Sequence, residues 1–409
     1  MPEKRILSKN CGKIDPGDIS SYEGEGGFKG LEKARGMSPE DVIGEIKASG
    51  LRGRGGAGFP CGAKWEMARK SSDDEKYLIC NADEGEVGTF KDRYLLQHDP
   101  FSVLEGIAIA GYGIGAGTVY IYVRAEYHYL LAGLLKAISQ CRDKGYLDHL
   151  EVKIEEGAGA YICGEESALM NSIEGKRGES RYRPPFPPES GLFEKPTIIN
   201  NVETLVNVPH IIENGSVWYQ GLGTKESKGT KLFCVSGDVQ RPGVYEMEFG
   251  CDLRELVVDL AGAEEVKMVQ VGGSTGSIIP GDMLDTPLAY ETVLGSGAVM
   301  VFDESRDVVD VVYRTMEFLN EESCGKCTPC REGTEVMMEI LGRLSNGEGV
   351  EGDIQDLEAL SSVMMNASLC GLGQTAPVPV LDSLKYFKEA YENRIRQSIF
   401  LRSLKAVKR

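Results

Sequence analysis

GLRGRGGAGFP, residues 50–60, sets Gly53, Gly55 and Gly58 at the spacing of the dinucleotide-binding fingerprint. That fingerprint works when a strand feeds a tight glycine turn into a helix N-terminus, whose free amides then hold a pyrophosphate. The flanks therefore decide the fold. Upstream, MSPEDVIGEIKASG offers Ser38 as a cap, Pro39 at the first helical position, and Val42, Ile43 and Ile46 at helical spacing. A helix stands where the fingerprint needs a strand. The acidic residues expected about 20 positions on do occur, as Asp73 and Asp74, but within the polar run KSSDDEK, which reads as a solvated loop. The sequence thus speaks against a Rossmann unit. It predicts a glycine loop that a flat or anionic ligand approaches closely, framed by Arg52, Arg54 and Lys64; the plainer alternative is a flexible turn.

The chain has 409 residues, enough for two or three domains. Its 45 basic and 63 acidic side chains leave a net charge of −18, which repels nucleic-acid backbones and anionic lipid surfaces. The most apolar window, residues 103–123, contains Glu105 and five glycines and reads as helix, turn and strand rather than a span. The N-terminus MPEKRILSKNCGK shows no secretory pattern, so a cytoplasmic protein without direct membrane insertion is expected. Eleven cysteines, an odd count without an export signal, argue against a disulfide framework. Seven are scattered (Cys11, Cys61, Cys80, Cys141, Cys163, Cys234 and Cys251) and read as small buried hydrophobes or loop residues.

From about residue 75 to 205 the segments alternate in type: YLICNADE, TVYIYVRAEY and LEVKIEEG as strands, FSVLEGIAIAGYG and YLLAGLLKAISQC as helices. This predicts an α/β layer. The proline-rich RYRPPFPPESGLFEKP interrupts it as a stiff, extended loop lying over something. Beyond GTKESKG, the run KLFCVSGDVQRPGVYEMEFG reads as a hairpin with Tyr245, Met247 and Phe249 on one face, DLRELVVDLAG as a helix and VKMVQVGG as a strand, a small α+β unit. From Arg306 onward the pattern is helical in four stretches, the last being PVLDSLKYFKEAYENRIRQSIFLRSLK, which suggests an antiparallel bundle. The expected domains are 1–225, 226–305 and 306–409.

ESCGKCTPCREG spaces Cys324, Cys327 and Cys330 two residues apart, and Cys370 follows in SLCGLG. Three thiolates in such a row suit the corners of a cubane whose fourth iron is held from elsewhere. Structural zinc more often takes two separated CxxC or Cys/His pairs. The expectation is a 4Fe-4S cluster tying two loops at one tip of the bundle, with Lys326 and nearby amides bonding the sulfurs and tuning a potential that in such clusters spans about −700 to +450 mV. A single cluster moves single electrons, so a second cofactor must connect it to a substrate.

Five blocks in order, LRGRGGAGFP, KYLICNADEGEVGTFKDR, GAGAYICGEESALMNSIEG, PPFPPESGLFEKPTIINNVET and ESCGKCTPCREG, resemble the NADH-binding flavoprotein subunit of respiratory complex I and its relatives in bidirectional or electron-bifurcating hydrogenases and NAD-linked formate dehydrogenases. The resemblance spans about residues 20–405. It implies FMN in the α/β domain, a ubiquitin-like β-grasp (α+β) domain next, and an α-helical bundle carrying the iron-sulfur cluster. FMN contacts would come from Gly53, Arg54, Gly55, Gly56, Gly58, Lys64, Asn81, Asp83, Glu84, Gly164, Glu165, Asn200, Asn201 and Thr204. Glycine amides approach closely, Lys64 brings positive charge, and the paired asparagines offer donors and acceptors; outside the resemblance the asparagines read as turns and caps. NAD(H) would stack on Phe59 and Phe186 and meet Glu86, Tyr161 and Glu166. Two positions depart from the family pattern: Met67 follows the KW pair where phenylalanine is usual, and Arg183 precedes PPF where lysine is common. Methionine packs on a ring less rigidly, and the arginine fork suits phosphate.

By the same resemblance, NADH exchanges hydride with FMN and electrons pass singly to the cluster and on to a partner. No side chain need act as acid or base, since the hydride chemistry is the cofactors' own. Glu86 and Glu166 would disfavour an added 2′-phosphate, which argues for NAD over NADP. The chain lacks the further CxxC clusters of extended hydrogenase relatives, so a thioredoxin-like 2Fe-2S subunit and another iron-sulfur subunit are the expected partners. The basic end, RIRQSIFLRSLKAVKR, is either a docking element or a solvated helix end. The rivals are a bifurcating diaphorase subunit and a non-enzymatic, metal-stapled scaffold.

Overall fold

A computed structural model describes residues 3–407. Strands β1 (Tyr77–Ala82), β2 (Thr118–Val123), β3 (Glu151–Glu156) and β4 (Thr197–Asn201) form a parallel sheet in the order β3-β2-β1-β4. The near-continuous apolar runs YLICNA and TVYIYV are what a sheet covered on both faces requires. The apolar window 103–123 resolves as helix, turn and strand. Asp99 caps the Pro100–Ile114 helix by accepting from the Ser102 backbone N–H, and left-handed Gly115 ends it ahead of β2. No helix among the described residues is long and apolar enough to cross a membrane.

After β1 the chain first builds outward through β2 and β3, then returns to place β4 on the other side of β1. Ligands bind open α/β sheets at such a reversal, outside the carboxyl ends of the strands. Asn81 and Asn201 stand side by side there. The upstream helix is as the sequence reads it: Pro39–Ser49, with Ser38 accepting from the Asp41 amide and left-handed Gly50 at the end.

The second sheet, in the order β6-β5-β9-β7-β8, comprises β5 (Thr230–Gly237), β6 (Gly243–Glu248), β7 (Val266–Val271), β8 (Ser277–Pro280) and β9 (Ala298–Asp303). The β5–β6 hairpin is antiparallel, whereas β5 and β9 are parallel. Met247 and Phe249 are buried on one face as expected. The opposite face is covered too, because the buried Glu246 carboxylate accepts from the amides of Ile6, Leu7 and Ser8. The predicted helix over DLRELVVDLAG forms with π-type turns across Glu255–Leu260. Successive residues of β5 serve different cores: Leu232 packs with the α/β unit and Phe233 with the second sheet.

Helices Val308–Glu321, Thr328–Ser345, Asp353–Ala367, Gly371–Thr375, Val378–Tyr386 and Lys388–Val407 make up the C-terminal region. The last predicted helical stretch is two helices, broken where Phe387 leaves helical geometry. One hydrophobic core runs from Ile79 and Tyr122 of the parallel sheet through Ile162 into Val312, Met316 and Met337 of these helices. Lys408 and Arg409 of the basic end lie outside the described residues.

Candidate functional site

The glycine loop is pinned at its base, where Arg52 and Pro60 bridge and Gly53 N–H donates to the Phe59 carbonyl at 2.9 Å. It leans against the carboxyl ends of β1 and β4 and borders a cavity of about 690 Å³. Gly55, Gly56, Asn81, Asp83 and Glu84 line this cavity from the loop and β1. Glu86, Tyr161, Gly164, Glu165 and Asn201 complete the predicted set on its wall. Gly56 has φ +122°, and a Cβ there would meet no atom within 4 Å. The space a side chain would take is thus open. At Gly58 the requirement is packing, since a Cβ would lie 2.6 Å from the Tyr290 ring.

The cavity wall carries one orphaned acceptor. Asp83 Oδ2 is buried without a hydrogen-bond partner, and burial pushes its carboxyl up to about 7. Glu84 is likewise raised to about 7, by burial and then by Asp92, although it accepts from the Asp92 and Arg93 amides and the Tyr127 hydroxyl. Asn81 donates to the Gly164 carbonyl at 2.9 Å and accepts from the Asp83 amide at 3.0 Å.

Four predicted flavin contacts point elsewhere. The Arg54 side chain is wholly buried and turns away from the cavity: its guanidinium donates to the Tyr219 hydroxyl at 2.7 Å and the Lys228 carbonyl at 2.6 Å, and stacks over Phe249. The Arg52 carbonyl also accepts from the Arg54 guanidinium at 3.1 Å, while Arg54 Nε is buried without a partner. The loop arginine bordering the cavity is Arg52. Thr204 lies beneath the loop and accepts from the Arg54 amide at 2.8 Å. Asn200 points opposite to its neighbour Asn201, as strand alternation dictates, and accepts from Trp65 Nε1 at 2.8 Å. Lys64 donates to Glu166 Oε2 at 2.7 Å and to the Ile199 carbonyl at 3.2 Å.

The predicted nucleotide residues fall into three groups. Tyr161 donates its hydroxyl to Glu86 at 2.6 Å, and the same carboxylate accepts from the Ser274 amide at 2.6 Å. Burial raises the Glu86 carboxyl, against the lowering effect of these bonds. Glu166 is paired with Lys64 and with Arg183, the latter at 3.0 Å; burial would raise it, but the two cations hold it below the usual carboxylate range. Arg183 also pairs with Glu165, so this corner is charge-balanced rather than openly acidic. Phe59, Met67 and Phe186 are about half exposed and stand outside the cavity wall.

Cys324, Cys327, Cys330 and Cys370 border a second, smaller cavity with Ser180, Ser323 and Lys326. Cys330 sits in the first turn of the Thr328–Ser345 helix, and Cys370 precedes the short Gly371–Thr375 helix. Burial pushes the Cys330 thiol up to about 11. The Ser323 hydroxyl lies 3.3 Å from Cys330 Sγ, and the Leu369 amide donates to Cys327 Sγ at 3.5 Å. Lys326 does not bond the sulfurs: it reaches the Ser180 carbonyl at 2.7 Å and pairs with Glu179. Among the described residues no three metal-ligating side chains converge as a single ion needs. Four thiols spaced around a cavity suit a polynuclear cluster, whose irons are ligated at separate corners. Ile162 and Leu372 line both cavities and form the partition between them.

Sequence reasoning missed several parts of the wall, among them Tyr290, the 292–296 segment and Thr375. Gly272, Thr275 and Gly276 come from a second glycine loop after β7, and their signal, VGGSTGS, was visible without a partner to match it to. Lys91 and Asp92 are buried charges on the wall, inside the quoted block that ends FKDR.

Residues 46–210 match the Nuo51 FMN-binding domain, and residues 310–394 the NADH-ubiquinone oxidoreductase-F iron-sulfur binding region. The NADP-reducing hydrogenase subunit HndC of Solidesulfovibrio fructosivorans is 44% identical over 96% of this chain and 83% of its own length. A subunit of the NADH-quinone oxidoreductase of Rhizobium meliloti is 43% identical, over 96% of this chain and 98% of its own. The alpha subunit of the NAD-reducing hydrogenase HoxS of Cupriavidus necator is 42% identical over 88% of this chain, which spans 61% of that longer protein. The fold superposes on a crystal structure of an NAD+-reducing [NiFe]-hydrogenase in the air-oxidized state with a TM-score of 0.85 at 43% identity, covering 88% of this chain and 63% of the hydrogenase chain.

Proposed function

Because this chain belongs to the family of the FMN- and 4Fe-4S-binding subunits of complex I and the diaphorase subunits of hydrogenases, we propose that it oxidises NADH and relays the electrons to a partner subunit. The observation that carries this reading is the shared wall of Ile162 and Leu372, which sets a cavity large enough for a flavin directly against the four-cysteine cavity. FMN in the first would take hydride from NADH, and a 4Fe-4S cluster in the second would pass the electrons on singly.

The residues fit both groups. The unpartnered Asp83 Oδ2 awaits a donor such as a ribityl hydroxyl, and the open space at Gly56 admits a flat ring against backbone. Gly55, Asn81, Gly164, Glu165 and Asn201 would line the FMN site, with Gly53, Gly58, Arg54, Thr204 and Asn200 holding the loop and strand behind it. Four cysteines without histidine are the donor set of an iron-sulfur cluster. Nicotinamide nucleotide would use Phe59, Met67 and Phe186 as stacking faces, with Glu86 and Tyr161 within the cavity. Lys64, Glu166 and Arg183 would face the adenosine side, where Glu166 disfavours a 2′-phosphate and Arg183 moderates that preference.

We read the five-stranded sheet as the β-grasp domain and place its boundaries near residues 226 and 305. A cytoplasmic setting suits the eleven free cysteines. The partners we propose are a thioredoxin-like 2Fe-2S subunit and a further iron-sulfur subunit. Whichever subunits co-purify decide between quinone-linked, hydrogenase-linked and bifurcating roles. Chemical analysis of purified protein tests the core reading: flavin together with iron and acid-labile sulfide supports it, and zinc alone overturns it.

A further inference from the structure

A line of buried, alternating charge runs back from the cavity wall, where Lys91 and Asp92 stand. Lys231 of β5 donates to Glu203 Oε2 at 2.5 Å, the same oxygen lies 3.0 Å from Lys91 Nζ, and Lys91 lies 2.7 Å from Asp92 Oδ1. None of these four side chains is more than 4% exposed. Burial lowers Lys231 to about 8, which leaves it mostly charged at neutral pH, while Asp92, Glu203 and Glu84 more than offset burial at Lys91 and raise it. A line of this kind is costly to desolvate, and ion pairs so deep are weak stabilisers compared with apolar packing.

The line ends on Asn201, which borders the cavity. Lys91 Nζ donates to Asn201 Oδ1 at 3.2 Å, and the Glu203 amide donates to the same oxygen at 3.1 Å. Asn201 Nδ2 donates to Asp92 Oδ2 at 2.6 Å. Turning the amide over would set its NH2 against an ammonium and its oxygen against a carboxylate, so the orientation is fixed by charge on both sides. An amide oxygen has two lone pairs and an amide NH2 two hydrogens. Both lone pairs and one hydrogen are taken, and a single N–H remains.

We propose that the Lys91–Asp92 pair is a positioning device that makes Asn201 a one-way donor, aimed at an acceptor oxygen or nitrogen of the flavin. This rests on the flavin reading of the cavity. It narrows the role of Asn201, which a free asparagine could fill as donor or acceptor, and it uses two wall charges that otherwise have no task. The acceptor belongs either to the ring and ribityl chain or to the phosphate, and both present the same chemistry to an N–H.

The test measures flavin affinity of deflavinated protein by fluorescence quenching, alongside the absorption envelope of the bound flavin, thermal stability and circular dichroism. Asn201→Ser keeps the helix cap but shortens the side chain, so that its hydroxyl stays at the cap and the N–H toward the cavity is lost, and should weaken FMN binding by about tenfold, the loss of one good hydrogen bond. Lys91→Met/Asp92→Leu removes the charges as a neutral pair and should reproduce most of that loss and the same spectral shift. Combined with Asn201→Ser it should add nothing further. Should the charge pair fail to fold when replaced, Asp92→Asn serves instead, with loss in the same direction. Equal losses with riboflavin place the acceptor on the ring or ribityl chain, whereas a loss confined to FMN places it on the phosphate; either supports the proposal. Full affinity in Asn201→Ser or in a folded charge-pair variant overturns it, as do additive losses in the combination. A purely structural pair would move the melting temperature and leave the flavin spectrum as in the parent. If the parent itself binds no flavin, the cavity reading fails first, and the two failures stay distinct.

Discussion

The Lys64 ammonium donates to the Glu166 carboxylate at 2.7 Å, so the acidic group that we propose meets the nucleotide is already paired with a cation. With Arg183 as a second partner at 3.0 Å, removing Glu166 leaves Lys64 without its carboxylate and Arg183 with Glu165 alone. Glu166→Ala should raise KM for NADH several-fold and shift the NADPH-to-NADH ratio of kcat/KM by about tenfold toward NADPH, an effect of roughly 1.4 kcal/mol. Steady-state kinetics with an artificial acceptor measure it. Unchanged constants for both nucleotides would remove Glu166 from the site.

Gly56 faces open space at a left-handed φ of +122°. Gly56→Val should therefore fold, with a strain of about 1–3 kcal/mol, yet fill the volume the flavin needs. Purified variant should lack flavin, keep iron and acid-labile sulfide, and show native circular dichroism. A folded variant with its full complement of flavin would show that the loop is elsewhere than assigned.

Arg54 tests a structural role beside a binding one. Its guanidinium donates to the Tyr219 hydroxyl and the Lys228 carbonyl in the interior; Arg54→Met leaves the hydroxyl its bond to Asn207 but withdraws this donor from the buried carbonyl, at a cost of about 1–3 kcal/mol. Thermal denaturation should show a clear loss of stability with flavin absent. An unchanged melting temperature combined with weakened flavin binding would restore Arg54 to the contact set.

Asp83 gives a pH dependence. Its folded-state carboxyl is raised to about 7 by burial, against an unfolded value of about 3.9. The unfolded chain therefore gives up this proton first. The group destabilises the flavin-free fold progressively as pH rises from about 4 to 7, and fully above that. Asp83→Asn should raise the melting temperature of deflavinated protein at pH 8 by several degrees and have little effect near pH 4. An equal effect at both values would mean that Asp83 finds a partner in solution.

Most of the architecture was legible because it rests on local signals. Ser38 and Pro39 mark a helix start, the apolar runs of β1 and β2 mark buried strands, and the cysteine spacing marks the cluster. What stayed hidden depends on partners far along the chain. Arg54 looks like a ligand-binding arginine until Tyr219 and Lys228, 165 and 174 residues away, are brought beneath it. Lys326 lies among the cysteines in sequence but reaches the Ser180 carbonyl, 146 residues back. The second glycine loop becomes part of the site only when the second sheet docks on the first, and the Lys91–Asp92 pair only when the helix after β1 meets Asn201 at the end of β4. Asn200 and Asn201 were separable in principle, because neighbours on a strand face opposite ways.

The central claim is that a flavin site and a cluster site, divided by Ile162 and Leu372, form one relay, and Cys370→Ser tests it most directly. Serine nearly preserves volume but is a harder ligand for iron than thiolate, and circular dichroism must first show the helical region folded, since metal binding contributes to folding. In the assembled complex, NADH should still bleach the flavin of the variant, and an artificial acceptor should still be reduced at close to the parent rate, while reduction of the partner subunit's clusters collapses. A folded, cluster-free variant that delivers electrons to its partner at the parent rate would contradict the account.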